Sequence, residues 1–133
     1  MKKFLSLILS LCLITSCTSN RKLREIKIDD LFLIKEDKYI VCFYSSTCRA
    51  CLDTLELLNK RYQIKKYQGF LLKVDGLDIR FDIEKQSNLY IDNYQNVVLS
   101  TLPYLVFIED KKIVKEVFGY TEIHKENLYI FFE

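Results

Sequence analysis

The chain has 133 residues, 50% of them apolar and 14% aromatic, with three glycines and one proline, a composition that suits one compact domain and excludes a linker, a disordered tail or a low-complexity array. Twenty basic side chains face 18 acidic ones, so the charge balance gives no sign of nucleic-acid binding, which calls for a clustered basic surface. Of the five cysteines two fall in the first 17 residues, and the remaining three, Cys42, Cys48 and Cys51, are an odd number and too few for a scaffold stapled by disulfides.

At the N-terminus, Lys2 and Lys3 precede the apolar stretch Phe4 to Ile14, broken only by Ser6 and Ser10. A permanent membrane-crossing helix needs roughly 20 apolar residues, so this layout reads as a cleaved export signal. The residues that follow, Leu13-Ile14-Thr15-Ser16-Cys17, resemble a bacterial lipobox, although Thr15 and Ser16 stand where Ala or Gly is commoner. That resemblance implies lipid on Cys17 and divides the chain into a signal at 1–16, a lipidated tether at 17–22 and a domain at 23–133. Removal of residues 1–16, which hold Lys2 and Lys3 and no acid, leaves 117 residues with 18 basic and 18 acidic side chains. The basic run Arg21-Lys22-Leu23-Arg24 is then either a solvated tether or a contact with anionic headgroups.

The domain opens with a first edge strand over Leu23 to Ile28, and Asp29 and Asp30 offer N-caps for a short helix or turn through Leu31 to Lys35. Tyr39 to Tyr44 is continuously apolar and rich in β-branched and aromatic residues, as expected of a central strand covered on both faces. From Cys48 the period changes. Cys51, Leu55, Leu58 and Tyr62 recur at helical spacing with charged residues between them, predicting an amphipathic helix. Gly69 ends that pattern, and Phe70 to Val74 predicts a second buried strand closed by Asp75-Gly76, so that strand, helix and strand form a parallel unit. Leu77 to Leu99 reads as irregular with a helix somewhere in Ile83 to Tyr94, weakened by Asn88, Asp92 and Asn93. Tyr104 to Ile108 and Ile113 to Phe118 flank a polar turn and predict a β-hairpin, and after Gly119 a helix capped by Thr121 runs to the chain end.

Within this order the stretch Ser45-Ser46-Thr47-Cys48-Arg49-Ala50-Cys51 places a Cys-x-x-Cys where a buried strand gives way to a helix. A cysteine at a helix N-terminus lies near unpaired N–H groups and the positive end of the helix dipole, which favour the thiolate, so Cys48 is the candidate nucleophile. One helical turn on, Cys51 lies at a distance that suits a disulfide and turns its sulfur inward, making it the candidate resolving thiol. Arg49 either adds to the field that favours a Cys48 thiolate or is a solvated first-turn arginine.

The element order, the Cys-x-x-Cys, the lone proline in Thr101-Leu102-Pro103 just before the hairpin, and Gly119 at the hairpin's end together resemble the thioredoxin family over roughly residues 23–133. That resemblance implies an α/β thioredoxin fold, a central mixed sheet flanked by helices, with no cofactor and no metal. It also implies a cis bond before Pro103 and a substrate groove at Thr101, Leu102 and Pro103 facing the cysteine pair. Thr47, Arg49 and Ala50 depart from the family's aromatic residue and Gly-Pro, so its redox potential does not transfer. The family's buried acid and neighbouring lysine are replaced by Cys42 and Leu71, which leaves proton transfer at Cys51 to water or another group. Cys42 is either a small buried hydrophobe or a third redox thiol. His124, the single histidine, is expected at the surface.

These readings lead to an exported, membrane-tethered thiol–disulfide oxidoreductase of the bacterial cell envelope, a reductant or isomerase accessory whose substrates are disulfide-containing or dithiol exported proteins. A transmembrane dithiol donor would supply its electrons. Two other classes compete: a metal-binding or metal-delivery lipoprotein using Cys42, Cys48 and Cys51, and a non-catalytic interaction module whose cysteine bridge only staples a helix.

Overall fold

The computed structural model describes residues 22–62, 67–84, 87–120 and 123. The proposed signal, Cys17, most of the last predicted helix with its Thr121 cap, and His124 lie outside them. The described strands are β1 (Arg24–Glu25), β2 (Lys38–Tyr44), β3 (Gln68–Lys73), β4 (Arg80–Phe81), β5 (Val98–Leu99), β6 (Tyr104–Glu109) and β7 (Lys112–Phe118), with one long helix, α1 (Arg49–Tyr62), between β2 and β3. Five strands form a mixed sheet in the order β1-β3-β2-β6-β7, while β4 and β5 make a small parallel pair of their own. Strands β1, β3 and β2 run parallel, and β6 and β7 are antiparallel neighbours beyond them.

Strand β2 shows why the sheet centres where it does. Every residue after Lys38 is buried, because side chains alternate between two covered faces. Tyr39, Val41 and Phe43 join one core with Leu72, Tyr104, Val106 and Ile108, whereas Ile40 and Cys42 join a second with Leu58, Leu105 and Phe107. Burying each large apolar side chain of this kind stabilises the fold by about 1.5 to 3 kcal/mol. The second core is the one α1 covers: Cys51, Thr54 and Leu58 face inward at helical spacing, with Leu55 partly buried beside them. Thr54 is fully buried and donates its hydroxyl proton to the Ala50 carbonyl at 2.9 Å. At the hairpin tip Asp110 and Lys111 both have positive φ, +50° and +62°, the geometry of a two-residue turn that matches the twist of the strands it joins.

Of the helix or turn expected after Asp29 and Asp30, the structure takes the turn: Ile28–Asp30 is a single 3-10 turn without a side-chain cap, and a turn over Leu31 to Leu33 follows it, with Leu31 and Phe32 in the first core. One expectation needs correction: among the described residues of Ile83 to Tyr94 there is no α-helix, and the helical element described between Leu77 and Leu99 is the 3-10 turn Tyr94–Asn96, capped by the Asn93 side chain on the Gln95 N–H at 3.0 Å. Asn88 is the physical reason: fully buried, it receives the Val98 N–H at 2.9 Å and donates to the Val98 carbonyl at 2.7 Å, standing in for a strand partner. Its amide also donates to the Tyr104 hydroxyl, and that hydroxyl donates to Glu116 at 2.5 Å. The described part of the segment therefore covers the first core as irregular chain, through Ile91, Tyr94, Val97 and Leu99. The last helix is described only at its start, where the Ile123 N–H meets the Gly119 carbonyl at 3.1 Å and Ile123 packs into the second core.

Candidate active site

Because β1, β2 and β3 are parallel, their C-terminal ends share one pole of the domain. The start of β6 and the end of β7 share it too, since Phe43 pairs with Tyr104 and Tyr104 with Phe118. Chain order thus brings four loops to that pole: Ser45 to Cys48 after β2, Val74 to Leu77 after β3, Ser100 to Pro103 before β6, and Gly119 to Tyr120 after β7.

The first loop delivers the cysteines. A turn closes with the Cys48 N–H on the Ser45 carbonyl at 3.2 Å, and the first helical bond runs from the Leu52 N–H to the Cys48 carbonyl at 3.2 Å. Cys48 is therefore the N-cap of α1. Its Sγ accepts the Cys51 N–H at 3.1 Å, the bond that a capping oxygen makes in other helices. Cys48 and Cys51 are joined as a disulfide with their Cα atoms 5.2 Å apart. The two sulfurs are unequally placed, Cys48 being half-buried at the loop and Cys51 fully buried against the sheet. Arg49 is exposed at the first helical position.

Opposite them the Leu102–Pro103 bond is cis, as the resemblance implied. Gly119 holds this loop in place: its N–H donates to the Pro103 carbonyl at 2.8 Å, its φ is +83°, and a side chain there would lie 3.7 Å from the Thr101 methyl group. Among the described residues no hydrogen bond engages the backbone of Thr101 or Leu102. Thr101 is exposed, Leu102 half-buried and Pro103 buried.

Cys42 lies in the second core, 1% exposed, and burial pushes its thiol up to about 12. At neutral pH it is held as a protonated apolar side chain, which favours packing over a third redox thiol. Cys42 and Leu71 are direct partners across β2 and β3, so both members of the expected acid and lysine pair are replaced at adjoining positions. Among the described residues no group of three or more His, Cys, Asp or Glu is placed to hold a metal ion, and no helix is long and apolar enough to cross a membrane.

Sequence reasoning missed Asp75, treated there only as a strand end. Its carboxylate accepts the Ser46 N–H at 3.2 Å and the Ser46 hydroxyl, and these bonds hold its carboxyl below the usual range, with Ser45 and Lys73 helping. Asp75 thus ties the end of β3 to the loop that carries Cys48. The signal was available: an acid ending a strand parallel to β2 must arrive at the same pole. Tyr44 was read only as core, yet its hydroxyl donates to the Glu25 carboxylate on β1, and burial, ahead of that bond, pushes it up to about 12.

No protein-family model matches the chain, and no curated protein matches it in sequence. Solved structures do match its fold. A thioredoxin from Schistosoma mansoni is 21% identical, with a TM-score of 0.57 over 83% of this chain and 94% of its own. The reduced thioredoxin pre-protein of the same organism gives 20% and 0.58 over 84% and 99%. Thioredoxin from Fasciola hepatica gives 20% and 0.53 over 84% and 100%. The chain therefore has the thioredoxin fold.

Proposed function

We propose that this chain is an exported, lipid-tethered thiol–disulfide oxidoreductase that works through Cys48 and Cys51. One observation carries the reading: Cys48 caps α1 with its sulfur on the Cys51 N–H at 3.1 Å, at the pole it shares with the cis Leu102–Pro103 bond. An anionic sulfur at that position gains both the capping bond and the helix dipole. Reduced Cys48 attacks a substrate disulfide as the thiolate, forming a mixed disulfide and releasing one substrate thiolate. Cys51 then gives up its proton and attacks Cys48 Sγ, releasing the second substrate thiolate and closing the Cys48–Cys51 bond. Two electrons pass from the dithiol to the substrate.

The 27 residues between Asp75 and Pro103 support a reductant or isomerase accessory, because their described part holds two short strands and a 3-10 turn instead of an inserted helical domain. Electrons for such a protein come from a transmembrane dithiol donor, and its substrates are exported proteins with disulfides to open. Lipid on Cys17 anchors it, a reading that rests on the Leu13 to Cys17 motif alone. Reduction of insulin by the pre-reduced protein, beside a zinc and copper titration of the same sample, tests the redox reading. Insulin cleavage with no stoichiometric metal uptake is the expected result. Tight metal binding without reduction supports metal delivery instead, and neither activity returns the pair to a structural staple.

A further inference from the structure

The pole opposite the cysteines is where the chain enters the domain. The Lys22 carbonyl accepts the Gln68 side-chain N–H at 3.2 Å, and Gln68 pairs with Tyr39 at the beginning of β2. Arg24 pairs with Phe70, and Phe70 with Val41, so β1 climbs from that pole toward the other in step with its neighbours. The hairpin turn lies at the entry pole as well, with the Asp110 N–H on the Asp37 carbonyl at 3.0 Å. From Tyr39 to Tyr44 the strand rises by about 17 Å, at roughly 3.3 Å per residue. Cys48 lies beyond that, across the Ser45 to Thr47 loop.

We infer that the dithiol faces away from the membrane, and that its redox partners are proteins presenting cysteines on segments that project from the bilayer, not disulfides or dithiols at the headgroup surface. The inference rests on the proposed lipid at Cys17 and on the proposed redox role. Four residues separate Cys17 from Lys22, five steps of chain. Even fully stretched they reach at most about 18 Å. To turn the dithiol toward the lipid, the entry pole would have to rise by the whole strand length and by the loop above it, with the tether passing around a domain whose radius of gyration is about 13 Å. The stretched tether matches the strand rise alone and leaves nothing for either. Orientations that keep the dithiol above the entry pole are within reach, and the inverted one is not. A transmembrane electron donor of this protein therefore carries its dithiol on a domain or long loop outside the bilayer.

The test uses the lipidated chain, pre-reduced and reconstituted into vesicles of phosphatidylethanolamine and phosphatidylglycerol, with one disulfide peptide offered either free in solution or linked by a short spacer to a headgroup in the same vesicles. Single-turnover reduction of the free peptide is expected, with the headgroup-linked peptide about tenfold slower or more at matched local concentration, because a tether that cannot span contributes no effective concentration. Inserting about 20 Gly/Ser residues between Asn20 and Arg21, with a reach of about 25 Å, should remove that difference and leave the free-peptide rate unchanged. Equal rates on the two peptides with the native tether would overturn the orientation alone. A chain recovered without lipid overturns the anchor and the orientation together, and a lipidated chain idle on both peptides overturns the redox reading beneath them.

Discussion

Replacing Asn88 by Ala should cost more stability than replacing any other asparagine among the described residues. The side chain is fully buried and makes three hydrogen bonds: to the Val98 carbonyl at 2.7 Å, from the Val98 N–H at 2.9 Å and to the Tyr104 hydroxyl at 3.1 Å. Tyr104 keeps its bond to Glu116 in the variant, but both backbone groups of Val98, itself 6% exposed, lose their partner. An unsatisfied buried group costs about 1 to 3 kcal/mol, so with coupling between neighbours the loss should be about 2 to 5 kcal/mol. Against a total stability of about 5 to 15 kcal/mol, that shift is easily read in urea unfolding of the oxidised protein. Asn93→Ala is the control: Asn93 is exposed and caps only a three-residue turn, so its loss should stay within about 0.5 kcal/mol. An Asn88→Ala variant within about 0.5 kcal/mol of the parent would refute the argument that this side chain holds the 87–98 segment in place of a helix.

Cys42 should resist thiol reagents in the native oxidised protein through pH 8 and react only on unfolding, since burial holds the thiol up to about 12; labelling at the rate of a free cysteine would contradict its place in the core. Its raised value makes that contribution to stability present below the ordinary thiol range and lost as pH rises toward about 12, which an alkaline unfolding series on Cys42→Ala should show as a flatter slope than the parent. For Asp75 the sign is opposite: a carboxyl held low contributes above the ordinary value of about 3.9 and is lost as pH falls through its native value. The stability gap between the parent and Asp75→Asn should therefore be full at neutral pH and close in acid, and a gap that does not change with pH would remove the charge from the account. Asp75→Asn should also speed amide exchange at Ser46, whose N–H the carboxylate receives, measurable by NMR.

The central sheet was legible because burial on both faces writes continuous apolar runs, and Tyr39 to Tyr44 and Tyr104 to Ile108 are such runs. The Cys-x-x-Cys was legible because the change from a strand pattern to a helical one falls at Cys48. The covering of the first core was not. Ile83 to Tyr94 has helix-like apolar spacing, and what decides its conformation is one asparagine whose partners lie at Val98 and Tyr104, ten and 16 residues away. Asp75 and Glu25 were missed for a related reason. Each meets its partner, Ser46 or Tyr44, across strands of the sheet, and only the parallel topology brings them together. Local pattern reports which face a residue takes, whereas pole and register come from the assembled sheet.

The most direct test of the account is trapping in the cell envelope with the two single-cysteine variants. If Cys48 attacks first and Cys51 resolves, Cys51→Ser should accumulate mixed disulfides with exported proteins, visible as reductant-sensitive bands, and Cys48→Ser should accumulate almost none. In the reduced parent, Cys48 should also be alkylated ahead of Cys51, with its thiolate forming below the free-cysteine value of about 8.5. Equal trapping by the two variants, or alkylation of Cys51 first, would contradict the assignment of roles and leave the pair a structural staple on a thioredoxin fold.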